Sequence, residues 1–151
     1  MIRLGFGWWC GQVRGLIRAA CMAGLPVLVV AAGCATTGGR LTKDTAPEIK
    51  RAAVTERANA RWAALIKGDL DAAYAYLSPA SREVVTLATF KARTRSDSFR
   101  EAKIDSVECE PELCKVRLML TYDHRLMKGV QTPLAETWVL DEGQIWYVWQ
   151  Q

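Results

Sequence analysis

His124 is the single histidine of this 151-residue chain, and so the one imidazole available as a general base. One histidine excludes metal sites built from several. Asp123 precedes it, but consecutive strand residues point to opposite faces, so the two make no ready dyad. Two further carboxylates come up as bases, Asp69 at a helix junction and Glu136 on a strand. Glu136 lies two residues from Trp138 and shares its strand face. If that face is inward, the carboxylate needs a buried donor or a polar ligand. Glu108, Glu110 and Glu112 surround a hairpin tip and read as surface charge. The chain has no G-x-S-x-G elbow, no phosphate-cradling glycine loop and no H-E-x-x-H. No catalytic residue, metal-ligand set or cofactor is assigned, and a non-catalytic role is the expectation.

Chemistry of another kind is suggested near the N-terminus. The run Leu28-Val29-Val30-Ala31-Ala32-Gly33-Cys34 closes an apolar stretch with small residues and a cysteine. It resembles the lipobox of bacterial lipoproteins, with Ala31 standing where leucine is usual. The resemblance implies that residues 1–33 are a signal peptide and that Cys34 becomes the lipid-bearing first residue. The flanks agree. Arg3, Arg14 and Arg18 precede an apolar core from Ala19 to Ala32, which is short of the roughly 20 residues a spanning helix needs. Pro26 would kink such a helix. The rival reading is a retained inner-membrane anchor, since residues 19–39 carry no charge. Ala35 is not the aspartate that commonly retains lipoproteins at the inner membrane. The resemblance therefore implies a cell-envelope protein, moored to the outer membrane and facing the periplasm.

Cutting the chain there changes its charge. Twenty basic and 16 acidic residues give a net of +4. Without Arg3, Arg14 and Arg18 the balance is 17 against 16, near neutral, which argues against a nucleic-acid partner. Of five cysteines, Cys10 and Cys21 leave with the leader and Cys34 would carry lipid. Cys109 and Cys114 remain, enclosing Glu110-Pro111-Glu112-Leu113. Proline at the second position of a four-residue turn has its φ preset, so the segment reads as a hairpin tip with the cysteines facing each other. Export to an oxidising compartment would keep such a disulfide formed. A redox or metal pair is the alternative, but the gap is not C-x-x-C and no histidine stands near.

The elements that would position these residues follow in order. Residues 34–44 have the small and polar composition of a flexible tether. Thr45 and Glu48 form a T-x-x-E capping box, predicting a helix from Thr45 to the stop at Gly68. Its apolar stripe is Ile49, Ala53, Val54, Ala58, Trp62, Leu65 and Ile66, with Lys50, Arg57 and Arg61 on another, solvated face. Short helices should follow Asp69 and Ser78-Pro79, with a break near Thr86. Lys91, Arg93 and Arg95 read as a solvated helix end favoured by the macrodipole. Alternation then predicts strands over Ala102–Cys109, Cys114–His124, about Val130–Leu140 and Ile145–Gln150, the last pair joined at Asp141-Glu142-Gly143. Helices first and an antiparallel meander after is an α+β plan, N-terminal helices packed on a four-stranded sheet.

The run from Trp62 through Gly68-Asp69 to Tyr74, then Leu77-Ser78-Pro79, Phe90 and the aromatic end Trp146, Tyr147 and Trp149, resembles the nuclear-transport-factor-2-like superfamily. That superfamily includes ketosteroid isomerases and polyketide-cyclase-like proteins. The resemblance covers residues 45–151 and implies a curved sheet closed by helices into a cone with a cavity. On that reading Trp62, Tyr74, Phe90, Tyr122, Glu136 and Trp138, with Trp146, are candidate pocket lining, although the rings would equally serve as core. Relatives also pair through the outer sheet face, so a homodimer is one implied partner. The leading functional expectation is a lipid-anchored protein whose domain docks other envelope components. A small apolar ligand in the cone is the second, and an isomerase or cyclase using Glu136 or Asp69 is the third.

Overall fold

The structure is a computed structural model and describes residues 40–150. Cys34, the leader and residues 34–39 of the tether lie outside the described residues. Four helices, α1 (Pro47–Lys67), α2 (Leu70–Tyr74), α3 (Pro79–Val84) and α4 (Leu87–Arg93), precede four strands. The strands β1 (Phe99–Cys109), β2 (Leu113–His124), β3 (Met127–Asp141) and β4 (Gln144–Tyr147) pair in chain order as one antiparallel sheet. The α+β plan of helices on a four-stranded meander is the architecture observed. Among the described residues, the hydrophobic core runs from Leu41 to Trp149, and they form one compact unit. Among the described residues no helix is long and apolar enough to cross a membrane.

The first helix starts later than its capping box suggests. Ala46 is the N-cap and makes no side-chain bond. Thr45 instead spends its hydroxyl one turn earlier, accepting from Thr42 N–H at 2.8 Å, while Pro47 sets the first helical φ. At the other end Gly68 adopts φ 76° and its N–H returns to the carbonyls of Ala64 and Leu65. The short helices begin where expected: Asp69, Ser78 and Thr86 accept from the N–H groups of Ala72, Ser81 and Thr89.

The face that α1 buries corrects the expected stripe. Lys50, Val54, Ala58, Arg61, Trp62 and Leu65 are buried, while Ile49 is 54% exposed. Lys50, Val54, Ala58, Arg61 and Leu65 are three or four residues apart, so the cations share the apolar face. They can do so because their stems are aliphatic and their heads find partners. Lys50 Nζ donates to Lys43 O at 2.6 Å and Pro111 O at 2.7 Å, tying the helix start to the β1–β2 hairpin. Half-buried Arg57 lies with its Cζ 5.1 Å from the ring centroids of both Tyr76 and Trp146. Burial lowers the Arg57 pKa, with Tyr76 and Glu56 opposing.

Alternation along the sheet decides what lines the concave side. Cys114, Val116, Leu118 and Leu120 of β2 are buried, and Lys115 and Arg117 between them are exposed. Register shifts in β1 after Phe99 and Ile104, and in β2 after Tyr122, mark bulges that bend the strands. β3 starts at Met127, three residues before the predicted Val130, so the β2–β3 connection is a tight turn in which Arg125 takes φ 40°. Glu142 and Gly143 turn β3 into β4 with φ of 49° and 82°, both left-handed as a two-residue hairpin loop requires. A Cβ on Gly143 would lie 2.8 Å from the Arg40 side chain.

The last strand is shorter than the alternation implies. β4 stops at Tyr147, whose N–H donates to Tyr76 O and whose carbonyl accepts from Ser78 N. Beyond it Val148 N–H donates to Thr137 O at 2.9 Å. Thr137 thus points its backbone away from β2, and Ala135, Pro133 and Gln131 share that orientation along the uncovered part of β3. Pro133 offers no N–H there, which blunts the open edge.

Cys109 and Cys114 are opposite one another in the β1–β2 register and form a disulfide with Cα atoms 4.1 Å apart. Glu110 N–H donates to Leu113 O across the turn at 2.7 Å. The closed loop is small, so converting both cysteines to serine should cost about 2 kcal/mol, read as a lower urea midpoint at unchanged slope.

Candidate functional site

A cavity of about 690 Å³ opens between the helices and the concave side of the sheet. Its floor is built by α1, β3 and β4. Trp62 and Leu65 come from the buried face of α1, Glu136 from β3 and Tyr147 from β4, with Arg61 beside them. Leu120, Tyr122, Phe99 and Leu134 form its walls, and Trp149 joins from the C-terminal segment. The mouth lies where the α4–β1 connection meets the β2–β3 turn, and carries Arg93, Arg95, Asp97, Asp123, His124 and Arg125. This volume, with an apolar inner part and a polar, charged mouth, suits a small molecule.

Glu136 is the centre of the floor. It is 4% exposed and both its oxygens are engaged. Oε1 accepts from Arg61 Nη1 at 2.8 Å and from Trp62 Nε1 at 2.9 Å, and Oε2 accepts from Trp138 Nε1 at 3.0 Å. The inward face foreseen for Glu136 is occupied, and the buried donor that such a carboxylate needs is Arg61. Three donors fix the position of the carboxylate, which ties α1 to β3 across the floor. Arg61 is 4% exposed and its Cζ sits 3.7 Å from the Tyr147 ring centroid. Its Nε has no acceptor among the described residues.

Burial holds the Tyr147 phenol above its ordinary pKa, and Glu136 adds to that effect while Arg61 opposes it. The folded protein therefore favours the neutral phenol. The stabilisation is complete below about pH 10, the unfolded tyrosine value, and disappears as pH rises through the higher folded value. Unfolding free energy should fall on that alkaline limb, and Tyr147→Phe should flatten the fall. An identical limb in the phenylalanine variant would assign it elsewhere.

The sequence-derived lining divides. Trp62, Tyr122 and Glu136 line the cavity. Tyr74, Phe90 and Trp138 do not, and belong to the packing behind it. Tyr74 Oη donates to Val85 O, Phe90 is fully buried between Tyr74 and Trp149, and Trp138 is fully buried below Glu136. Trp146 faces the other side of β4, and Tyr147 takes the inward place. Asp69 is exposed at its helix cap, away from the cavity, while His124 is exposed at the mouth. Asp123 binds Arg100 Nε at 2.9 Å and Gly129 N–H at 3.0 Å, which fixes the β2–β3 turn. These bonds lower its pKa, the Gly129 bond most.

Arg61's burial, Tyr147's inward place and Arg125 escaped the sequence reading, while Arg93 and Arg95, read there with Lys91 as a solvated helix end, stand at the mouth. The helical spacing from Val54 and Ala58 held the signal for Arg61, and alternation from Ile145 held it for Tyr147. Nothing local marks Arg125 as a neighbour of Arg93 and Arg95, because a chain reversal brings it there.

No protein-family model and no curated protein matches the chain. Two solved structures are similar to it in part. A SEC-C motif containing protein from Rhodopseudomonas palustris aligns with 14% identity over 60% of this chain and 71% of its own, at a TM-score of 0.47. A protein from Campylobacter jejuni described as an NTF2-like transpeptidase aligns with 10% identity over 64% of this chain and 98% of its own, also at 0.47. The α+β assignment rests on the sheet order and helix packing described above.

Proposed function

We propose that this domain binds a small, largely apolar molecule in the cone without transforming it, and that Cys34 moors it by lipid in the cell envelope. The cavity carries the binding reading: a roomy chamber with apolar inner walls, whose one buried carboxylate already has both oxygens bonded to the protein's own donors. Docking of envelope components has less support. The large exposed apolar residues, Ile49, Val84, Leu126 and Met127, lie on three separate elements rather than in one patch. The lipobox-like run and the disulfide favour the oxidising side of a membrane.

The point of entry matters for that arrangement. Leu41 N–H donates to Gly143 O and Arg40 Nη2 donates to Glu142 O, so the described chain joins the domain at the β3–β4 turn. The cavity mouth is at the other end of β3, a contour of about 45 Å away. A tether preceding Arg40 would reach the domain at that turn and not at the mouth.

Purification from native membranes with mass spectrometry of the intact chain tests both parts. The expected result is a diacylglyceryl mass on Cys34 and a co-purifying small molecule, released on denaturation. A chain retaining Met1 in the soluble fraction would overturn the mooring. A protein that neither carries a small molecule nor binds any apolar probe would overturn the cavity reading.

A further inference from the structure

We infer that the molecule held in the cavity is an amphipathic anion, its apolar body inside and one carboxylate- or sulfonate-type head at the rim. This rests on the binding reading above and adds the charge of the ligand. The floor cannot read a charged head, because Arg61 and Glu136 already neutralise each other at 2.8 Å, both some 5% exposed. The walls of Trp62, Leu65, Phe99, Leu120 and Leu134 offer no charge. Only the rim is unbalanced.

Three guanidinium groups stand there, on Arg93, Arg95 and Arg125, and none has a carboxylate within ion-pair distance among the described residues. Of the two rim carboxylates, Asp123 is committed to Arg100 and Gly129, which leaves Asp97 alone against three cations. Lys91, the other base of the α4 end, is paired with Asp71 at 2.7 Å. Arginine stays charged across the accessible pH range, and its planar fork matches an oxyanion. An anion entering tail first would bury its chain against the aromatic walls and stop with its head among these three side chains.

The test compares decanoate with 1-decanol on the chain from Arg40, which carries the core of the described residues. Binding is followed through the tryptophan emission of Trp62 and Trp149. Decanoate should bind about tenfold more tightly than decanol, and the difference should shrink as salt rises from about 0.05 to about 0.5 M. The exposed triple variant Arg93→Gln, Arg95→Gln, Arg125→Gln should lose that tenfold while decanol affinity stays within about twofold. The corresponding triple lysine variant should keep most of it. Equal affinity of the native protein for the two probes would overturn the headgroup inference and leave the cavity reading intact. So would a decanoate preference untouched by the glutamine variant. Failure of both probes to bind would instead remove the cavity reading itself.

Discussion

Glu136→Ala should be among the most damaging single changes in this domain, lowering stability by about 3–5 kcal/mol. The substitution strips the partner from Arg61, which is 4% exposed, and leaves the indole N–H groups of Trp62 and Trp138 without acceptors. An uncompensated buried guanidinium accounts for most of the loss. Water entering from the cavity relieves part of it, because Arg61 lines that space. The decisive comparison is the double variant Arg61→Met, Glu136→Met. It removes both charges and fills their space with apolar atoms, so it should be more stable than Glu136→Ala and lose much less than the two single methionine changes added together. Urea unfolding by circular dichroism gives all four values. Additive losses would mean that the pair is not coupled, whatever its geometry. Tryptophan emission supplies a second reading, since Trp62 and Trp138 both change neighbours.

This floor shows where the sequence was readable and where it was not. Strand alternation placed Glu136 and Trp138 on one face, and both are buried. The helix starts at Asp69 and Ser78 were legible because each depends on a side chain bonding three residues ahead, while the break near Thr86 proves to be the cap of a further helix. Thr45 misled because its hydroxyl had a closer claim from Thr42. Arg61 misled for a larger reason. A cation on a helix is ordinarily solvated, and only a carboxylate 75 residues away makes its burial affordable. Local pattern carries periodicity but no information on such a distant partner. The same limit hid the rim, whose arginines come from the end of α4, the segment after it and the β2–β3 turn. The lipid mooring proposed for Cys34 stands apart, since it would depend on processing rather than on folding.

Phe90→Ala should cost about 3–5 kcal/mol, and its effect on ligand binding should exceed what the lost stability alone explains. Phe90 is fully buried, with ring centroids 5.5 Å from Tyr74 and 5.3 Å from Trp149. It is the single buried residue of α4, so the helix is held to the domain chiefly through this ring. Truncation leaves a void between α2 and the C-terminal segment that neither neighbour can fill without moving. Two parts of the cavity would move with it. Trp149 would lose the ring that fixes its wall position, and the end of α4 would no longer hold Arg93 and Arg95 at the mouth. Phe90→Leu separates packing from positioning. It keeps most of the volume and should lose less than half as much stability, with decanoate affinity largely retained. Phe90→Ala, measured where it is still folded, should bind decanoate about tenfold more weakly. A loss under about 1 kcal/mol would show that α4 is secured by other contacts. Undiminished affinity in a destabilised alanine variant would show that the mouth keeps its shape without the helix. The rim then could not owe its order to the core, and the coupling of fold to site argued from this ring would fail.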